Sequence, residues 1–446
     1  MRILHLSTHD ALGGAGRAAS RLHQALNQLP EIETSHMLVA EKSGADHDTR
    51  AITHPICDSL RRHIERCPLK LTSFPDLVHQ SLAWLPNPKL VRAVRRFQPD
   101  IIHLHWVQNA FLPIQSISKL ASPNTPIVWT FHDMWPVCGM FHHEYAETKR
   151  YPLPYQKNSR PHTQGGLDVD AWTWQRKSKA YRRLDTQQRP LSAVTPSHWL
   201  ASKAKQSALW KNRALSVIPN GIDTKVFKPI DQQAARKLLN LPQNKLIISF
   251  GAMFAESDPN KGYRELITAL RQLRFNHADV HLALFGMTKP AGPENAELPY
   301  PVTFFGTLKD DFTLAALYSA SDVTITPSRQ ESFGLVAAEA QACATPVVAF
   351  EASATKEVVQ HKRTGYLAEP FNPASLTRGI EWTLEDPDRL SQLGSQAHSH
   401  ITKRFSLKSV SRQHLDLYRQ LRRPHSKNPP PSAPPHLPLP THQNAR

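Results

Sequence analysis

Apolar residues fall along this chain in short runs, separated by longer stretches in which they recur every three or four positions. Runs at residues 3–7, 101–105, 127–132 and 193–197 read as strands in the first half; those at 246–251, 281–286, 303–306, 323–328 and 346–350 do so in the second. Strands alternating with amphipathic helices predict parallel sheets covered on both faces. The alternation breaks between Val217 and Asp223, where Pro219 and Asn220-Gly221 are turn-forming, and a polar stretch follows to about Asn244. The break divides the chain into two α/β domains, residues 1–220 and 221–400. A last helix, near residues 407–421, carries Val410, Leu415, Leu417 and Leu421.

Two regions depart from this pattern. Residues 140–189 hold many prolines, tyrosines and basic residues around Gly165-Gly166 and read as a long irregular segment, of the kind that is functional or disordered within a domain. The tail, 424–446, contains Pro429-Pro430-Pro431, Pro434-Pro435, Pro438 and Pro440 and reads as a disordered appendage.

Composition narrows the class. A chain of 446 residues with 40% hydrophobic content fits two domains better than one core. It has no apolar run of about 18 residues, so no spanning helix is expected. Met1–Ser7 enters a strand without the charge and cleavage pattern of a signal peptide, which predicts a cytoplasmic protein. Cys57, Cys67, Cys138 and Cys343 are widely spaced and form no C-x-x-C pair, which argues against a disulfide framework or a zinc ribbon. The 54 lysines and arginines exceed the 37 acids, for a formal charge of +17. Such a surface attracts polyanions: nucleic acid, anionic lipid headgroups or a diphosphate-bearing substrate. Basic residues cluster at 92–96, 177–183 and 419–423, without a nucleic-acid fold signature. Attachment to an anionic membrane face and plain solvated charge both stay open.

Two segments carry chemistry. The first strand runs through Ser7-Thr8-His9-Asp10 into Gly13-Gly14-Ala15-Gly16, and a helix with Ala18, Leu22, Ala25 and Leu26 follows. Glycines there let backbone N–H groups approach an anion or sugar hydroxyls. The strict G-x-G-x-x-G is absent, and a tight turn without a ligand explains the glycines as well. The second segment, residues 326–340, places Glu331 in a turn after a strand and Glu339 on a helix that starts near Phe333 or Gly334. Eight helical positions span about 12 Å, too far for a glycosidase pair sharing one bond, which needs roughly 5–9.5 Å. An extended ligand meets both carboxylates instead, with its phosphates over the free N–H groups of Gly334, Leu335 and Val336. Sugar hydroxyls, a diphosphate and a ribose diol have that layout; two ordinary helix-terminal glutamates are the structural alternative.

Residues 326–340 resemble the E-x(7)-E motif of glycosyltransferase family 4, the group 1 retaining transferases of GT-B architecture. Matching pieces lie in the same order to about Arg422: Gly13-Gly14-Ala15, His132-Asp133-Met134-Trp135-Pro136, Thr195-Pro196-Ser197-x-Trp199-Leu200, residues 217–223, Lys261-Gly262 and Thr364-Gly365-Tyr366-Leu367. The His132 and Pro196 runs resemble the branch that assembles capsular and exopolysaccharides, including colanic-acid-like polymers. The resemblance implies two Rossmann-like domains facing across a cleft, the first on the acceptor side, the second holding the nucleotide sugar. Residues 401–423 would cross back onto the first domain. It further implies that Glu331 holds donor-sugar hydroxyls, Glu339 the ribose, and Lys261 the diphosphate. His132 would face the donor sugar, and Gly13 and Gly14 would lie near acceptor and phosphate. The expected reaction moves a sugar from a nucleoside diphosphate to a glycan, on a lipid carrier at the membrane's inner face, with no metal, other cofactor or nucleic acid.

The sequence departs from the family in places. The arginine usually found shortly before the lysine is missing: Gly251 is followed by Ala252-Met253 and a loop to Asn260, so Arg264 or Arg329 would have to turn inward to replace it. Ser332 and Ala344 stand where glycines are common, and residues 352–355 replace a glycine-rich turn. Only Cys138 remains of a stretch that is cysteine-rich in relatives. A degenerate protein that binds sugar nucleotide without turnover is therefore the non-catalytic alternative. Asp168-Val169-Asp170 and Asp386-Pro387-Asp388 spell D-x-D but follow no convincing buried strand. His103 and His105 share a strand face, and His142-His143-Glu144 is metal-capable, yet neither group has an evident third ligand.

Overall fold

The computed structural model describes residues 1–422 apart from 53–54, 74–78, 121–124, 144–148, 157–158, 162–164, 187–190, 254, 256, 288–297 and 309. Glu144, Arg423 and the proline-rich tail lie outside the described residues.

The first sheet contains β1 (Arg2–His9), β2 (Thr34–Glu41), β3 (Thr49–Ala51), β5 (Ile101–Leu104), β6 (Ile127–Thr130), β8 (Leu191–Thr195) and β9 (Leu215–Val217), all parallel, in the order β3-β2-β1-β5-β6-β8-β9. A small antiparallel pair, β4 (Thr72–Ser73) and β7 (Gly165–Gly166), stands apart. The helices of this part are α1 (Gly13–Asn27), α2 (Pro55–Arg66), α3 (Pro88–Phe97), α4 (Ile117–Leu120), α5 (Val169–Thr186) and α6 (His198–Gln206). After α7 (Gln232–Leu238), the second sheet takes β10 (Leu246–Gly251), β11 (Val280–Phe285), β12 (Val302–Phe304), β13 (Val323–Thr326), β14 (Val347–Phe350) and β15 (Gly365–Ala368) in the order β12-β11-β10-β13-β14-β15, again all parallel. Its helices are α8 (Tyr263–Arg271), α9 (Asp311–Ala320), α10 (Leu335–Ala342), α11 (Thr355–Val358), α12 (Pro373–Leu384) and α13 (Pro387–Arg404). The chain ends in α14 (Leu407–Arg422).

The central strands read as continuous apolar runs because helices cover both faces: β6, β13 and β14 are buried at every position. Polar caps set many helix starts, with Asn87, Ser197, Asp231, Asp310, Asn372 and Asp386 each accepting from the N–H three residues on. Asp386 thus caps α13. Asp168 and Asp170 both pair with Arg150, at 3.1 and 3.2 Å, which gives both D-x-D stretches structural roles.

The final helix belongs to the first core. Val410, Leu415, Leu417 and Tyr418 of α14 pack with Ile3, Leu22 and Leu26. The chain crosses back where Ile222 pairs with the 405–407 segment, its N–H donating to Phe405 O at 2.7 Å and its carbonyl accepting from Leu407 N–H at 3.0 Å. Arg419 and Arg422 pair with Glu31 and Asp100 of the first domain.

Several sequence expectations need correction. The segment expected to be irregular contains the 18-residue α5. Its helical period is masked because the inward face carries Asp170, Thr173 and Lys177 beside apolar residues. Lys177, read as part of a surface cluster, is fully buried: it donates to the Trp135, Cys138 and Gly139 carbonyls and fixes the loop after β6. The polar stretch after residue 223 contains α7, and β2, β3, β9 and β15 were not expected. Among the described residues, no helix is long and apolar enough to cross a membrane.

Candidate functional site

The C-terminal ends of both sheets face a cleft of about 960 Å³. Parallel sheets bind ligands at such edges because the strand-to-helix loops and free helix N-termini meet there.

The second-domain wall grows from β13 and α10. Gly262, at φ 67°, caps α8 so closely that a Cβ would run into the Pro327 carbonyl, which seats the lysine loop on the loop after β13. Asn260 reinforces the seat: its side chain donates to Gln330 O at 2.9 Å, and its carbonyl accepts from Arg329 N–H at 2.8 Å. Lys261 Nζ then lies 3.2 Å from Glu331 Oε1, both half-buried. Glu331, foremost, raises the Lys261 pKa against the opposing effect of burial. Gly334, at φ 97°, turns the chain into α10, so Gly334, Leu335 and Val336 line the cleft at the helix start. Ser353 Oγ accepts the Glu331 N–H at 2.9 Å.

Glu339 is placed differently. It is 4% exposed and does not line the cleft. Arg21 Nη1 of α1 reaches it at 2.7 Å, and the Tyr318 hydroxyl donates to it at 3.1 Å. Arg21 and Arg17 also pair with Asp311, at 2.9 and 3.1 Å, so this carboxylate sits in an interdomain ion-pair seam. Glu357 makes a second cross-domain contact, accepting the N–H groups of His198 and Trp199 at the start of α6.

The first-domain wall is a set of imidazoles and one carboxylate. Gly13 and Gly14 line it where β1 meets α1; a Cβ on Gly14 would press on Leu335 across the cleft, at 3.1 Å. His132 follows β6 and is half-buried. Burial, opposed by Asp133, lowers its pKa to about 4, so it is neutral at pH 7. Asp133 accepts from Trp106 Nε1 at 2.9 Å and Trp135 N–H at 2.8 Å, with His142 Nδ1 at 2.6 Å. Burial pushes that carboxyl up, but His142 and the backbone donor outweigh it and hold it at about 2.

Behind His132 lies a buried histidine cluster. His5 on β1 pairs in register with His103 on β5, and His105 lies two residues on, on the same face. His5, His103 and His105 each offer a ring nitrogen within 4.8 Å of the others, so His5 is the third metal-capable ligand that the sequence did not show. All but one of the ring nitrogens have protein partners: His103 meets the Tyr418 hydroxyl at 2.6 Å and Thr130 Oγ1 at 2.7 Å, His5 Nδ1 meets His105 Nε2 at 2.9 Å, and His105 Nδ1 meets His132 at 3.2 Å, which leaves His5 Nε2.

The structure brings His132, Lys261, Glu331, Gly334, Leu335, Val336, Gly13 and Gly14 to one cleft and leaves Glu339 at its seam. Neither suggested arginine turns inward. Arg329 pairs with Glu265 and lies over Phe371, and Arg264 is exposed. The arginine that lines the cleft among the described residues is Arg66, from α2. Sequence reasoning missed Arg66, Arg21, Tyr318 and His5, for these approach from distant elements and belong to no contiguous motif.

Comparison with known proteins agrees with this architecture. Residues 12–226 match the family model described as Glycosyltransferase Family 4, and residues 231–400 that described as Glycosyl transferases group 1. The chain is 30% identical, over 447 residues, to an MMP alpha-(1->4)-mannosyltransferase of Mycolicibacterium hassiacum, covering 94% of this chain and 98% of that one. It is similar in structure to sucrose-phosphate synthase of Thermosynechococcus elongatus (TM-score 0.65, 22% identity, 94% and 98% covered). It is also similar to Anabaena HepE in complex with UDP-glucose (TM-score 0.62, 19% identity, 94% and 100% covered). The fold is GT-B.

Proposed function

The chain belongs to the group 1, family 4 glycosyltransferases, and on that premise we propose that it transfers a sugar, with retention, from a nucleoside diphosphate to a lipid-linked glycan in cell-surface polysaccharide synthesis. The observation that carries this reading is the Lys261–Glu331 pair at the start of α10, opposite His132. A diphosphate arriving there exchanges one Lys261 contact for another: the ammonium leaves Glu331 for phosphate oxygens. Glu331 is then free to accept hydrogen bonds from sugar hydroxyls. The N–H groups at the start of α10 and Lys261 offset charge as the nucleoside diphosphate departs, so the reading assigns no role to a metal. His132, neutral, meets the donor sugar by hydrogen bonding. Glu339 accepts ribose hydroxyls once it gives up Arg21, which covers it at the seam between the domains. HepE, a structural neighbour, was solved with UDP-glucose, which supports a sugar nucleotide as donor.

The membrane part of the reading rests on α2. Its inward face is charged: Asp58 and Glu65 are buried. Its outward face is apolar, with Ile56 74%, Leu60 62% and Ile64 39% exposed, and His63, Arg66 and Lys70 stand exposed beside it. An apolar stripe edged by cations suits an anionic bilayer. Arg66 also lines the cleft, so the stripe adjoins the acceptor side.

The test is nucleotide release from a panel of UDP-, GDP- and TDP-sugars by wild type, Glu331→Ala and Glu339→Ala. Release from one donor, abolished in the variants, is expected. Folded wild-type protein that neither binds nor cleaves any donor would reject transfer and favour a non-catalytic binder. An inverted anomeric linkage in the product would reject retention.

A further inference from the structure

Three imidazoles from adjacent strands form one line inward from the cleft. His132 Nε2 lies 3.2 Å from His105 Nδ1, and His105 Nε2 lies 2.9 Å from His5 Nδ1. Burial, first of all, holds His5 and His105 well below the ordinary histidine pKa, and His132 at about 4, so all three are neutral at pH 7. A neutral imidazole has one N–H and one lone pair. Each nitrogen-to-nitrogen bond therefore holds one hydrogen, and the line has only two self-consistent arrangements.

In the first, the N–H groups point inward. His132 donates from Nε2, His105 donates from Nε2, and His5 keeps its hydrogen on Nε2. That last nitrogen is fully buried and has no hydrogen-bond partner among the described residues. In the second, His5 Nδ1–H donates to His105, and His105 Nδ1–H donates to His132 Nε2. His5 Nε2 is then a bare lone pair. Among backbone groups an orphaned buried N–H is rarer than an under-satisfied acceptor, and the same preference carried over to this ring favours the second arrangement. The flanking rings do not alter the choice. Both His103 nitrogens are engaged by Tyr418 and Thr130, both His23 nitrogens by Ser35 and Asp46, and His414 Nδ1–H donates to Val410 O.

We propose that His105 and His5 are positioning residues that hold His132 in its Nδ1–H tautomer, so that the ring presents an uncharged hydrogen-bond donor to the cleft. His132 Nδ1 makes no hydrogen bond among the described residues, and the ring lines the cleft. In water the Nε2–H form of histidine predominates, so the line imposes a tautomer that the side chain would not choose alone. This inference rests on the reading of His132 as a donor-sugar contact, but its primary readout does not depend on turnover.

The experiment is a two-bond ¹H–¹⁵N spectrum of the full chain labelled with ¹⁵N-histidine, with the His132 signals identified by their loss in His132→Gln. Wild type should show His132 protonated at Nδ1. His105→Leu removes both links and should return His132 to Nε2–H; His105→Gln, whose amide both donates and accepts, should keep Nδ1–H. Turnover should follow the tautomer: His105→Leu loses about tenfold in kcat with donor KM within about twofold, and His105→Gln recovers most of the loss. A wild-type His132 protonated at Nε2 would overturn the proposal, as would a tautomer unchanged in His105→Leu. So would a stoichiometric divalent metal in the purified protein, bound by His5, His103 and His105. If His105→Leu does not fold, the wild-type and His105→Gln spectra still decide. The expected spectra in a protein inactive toward every donor would uphold the tautomer and refute transfer instead.

Discussion

The two walls of the cleft solve opposite problems. The second domain's wall is built with charge: Lys261 against Glu331 at 3.2 Å, with the start of α10 beside them. The first domain's wall is built mostly from neutral rings, stacked from His132 back to His5, with Asp133 tied down by three partners. The difference is chemical. A diphosphate needs positive charge already held where it docks, whereas a sugar hydroxyl needs directed hydrogen bonds without a competing ion. Burying several neutral imidazoles supplies the second at the expense of acid stability.

That expense gives the largest expected effect. His5, His103 and His105 lie well below 6.5, and His132 and His414 at about 4, each lowered first by burial. In the second domain, only His400 is pushed as low as about 4. A histidine whose folded pKa lies below its unfolded value of 6.5 binds a proton in the unfolded chain first. The stability it holds above pH 6.5 is therefore lost as pH falls from 6.5 toward the folded value. Each such histidine contributes a slope of about 1.4 kcal/mol per pH unit in that window. Of the nine tryptophans, only Trp382 lies in the second domain, so tryptophan emission during urea unfolding reports mainly on the first. The first domain's midpoint should fall sharply between pH 7 and pH 5, while helix signal from the second persists. Equal loss in both halves would break the contrast.

Charge on the other wall is tested by Lys261→Met, which keeps length and removes the ammonium. Loss of a preorganised contact to developing charge lowers kcat by about 10²–10³-fold, or about 2.7–4 kcal/mol. Nucleotide-release assays at saturating donor measure it. A fall in affinity alone, with kcat intact, would show that Lys261 binds the ground state only.

The same contrast governs what the sequence disclosed. The donor wall was legible because its residues fall in compact motifs: β13, the turn with Glu331 and the start of α10 all lie within residues 323–342, and Lys261 stands in the Lys261-Gly262 pair. The opposite wall was only partly legible. His132 stood in a recognisable run, but His5 hid in an apolar strand, and its partners His103 and His105 lie about a hundred residues away, joined only by sheet register. Helix α5 was missed because its buried face serves polar ends, with Lys177 and Asp170 anchoring the loop at 135–140. Glu339 was legible as a motif position but not as a partner of Arg21, since that contact forms only when the two domains meet. Periodicity reports burial against apolar neighbours, and it fails where the interior is polar.

Helix α2 is the plainest case of that failure and gives the smallest expected effect. Its period runs backwards, with carboxylates inward and Ile56, Leu60 and Ile64 outward. The inward side makes polar contacts with the domain: Glu65 accepts the Ala83 N–H, and Arg61 donates to Pro86 O and Ala110 O, both at 2.9 Å. The outward stripe stays largely exposed among the described residues, while the donor-side domain exposes its large apolar residues singly, as at Leu238, Phe312 and Phe371. If the stripe enters a bilayer, Leu60→Glu removes the burial of one large apolar side chain, about 1.5–3 kcal/mol, and adds a charge repelled by anionic lipid. Co-sedimentation with vesicles containing phosphatidylglycerol should fall by about tenfold or more. Nucleotide release in detergent, with the donor alone, should stay unchanged, because residue 60 lies on the helix face away from the cleft. Leu238→Glu, on the other domain, should bind vesicles like wild type. Equal vesicle binding by all three proteins would remove the asymmetry and leave α2 as solvated surface.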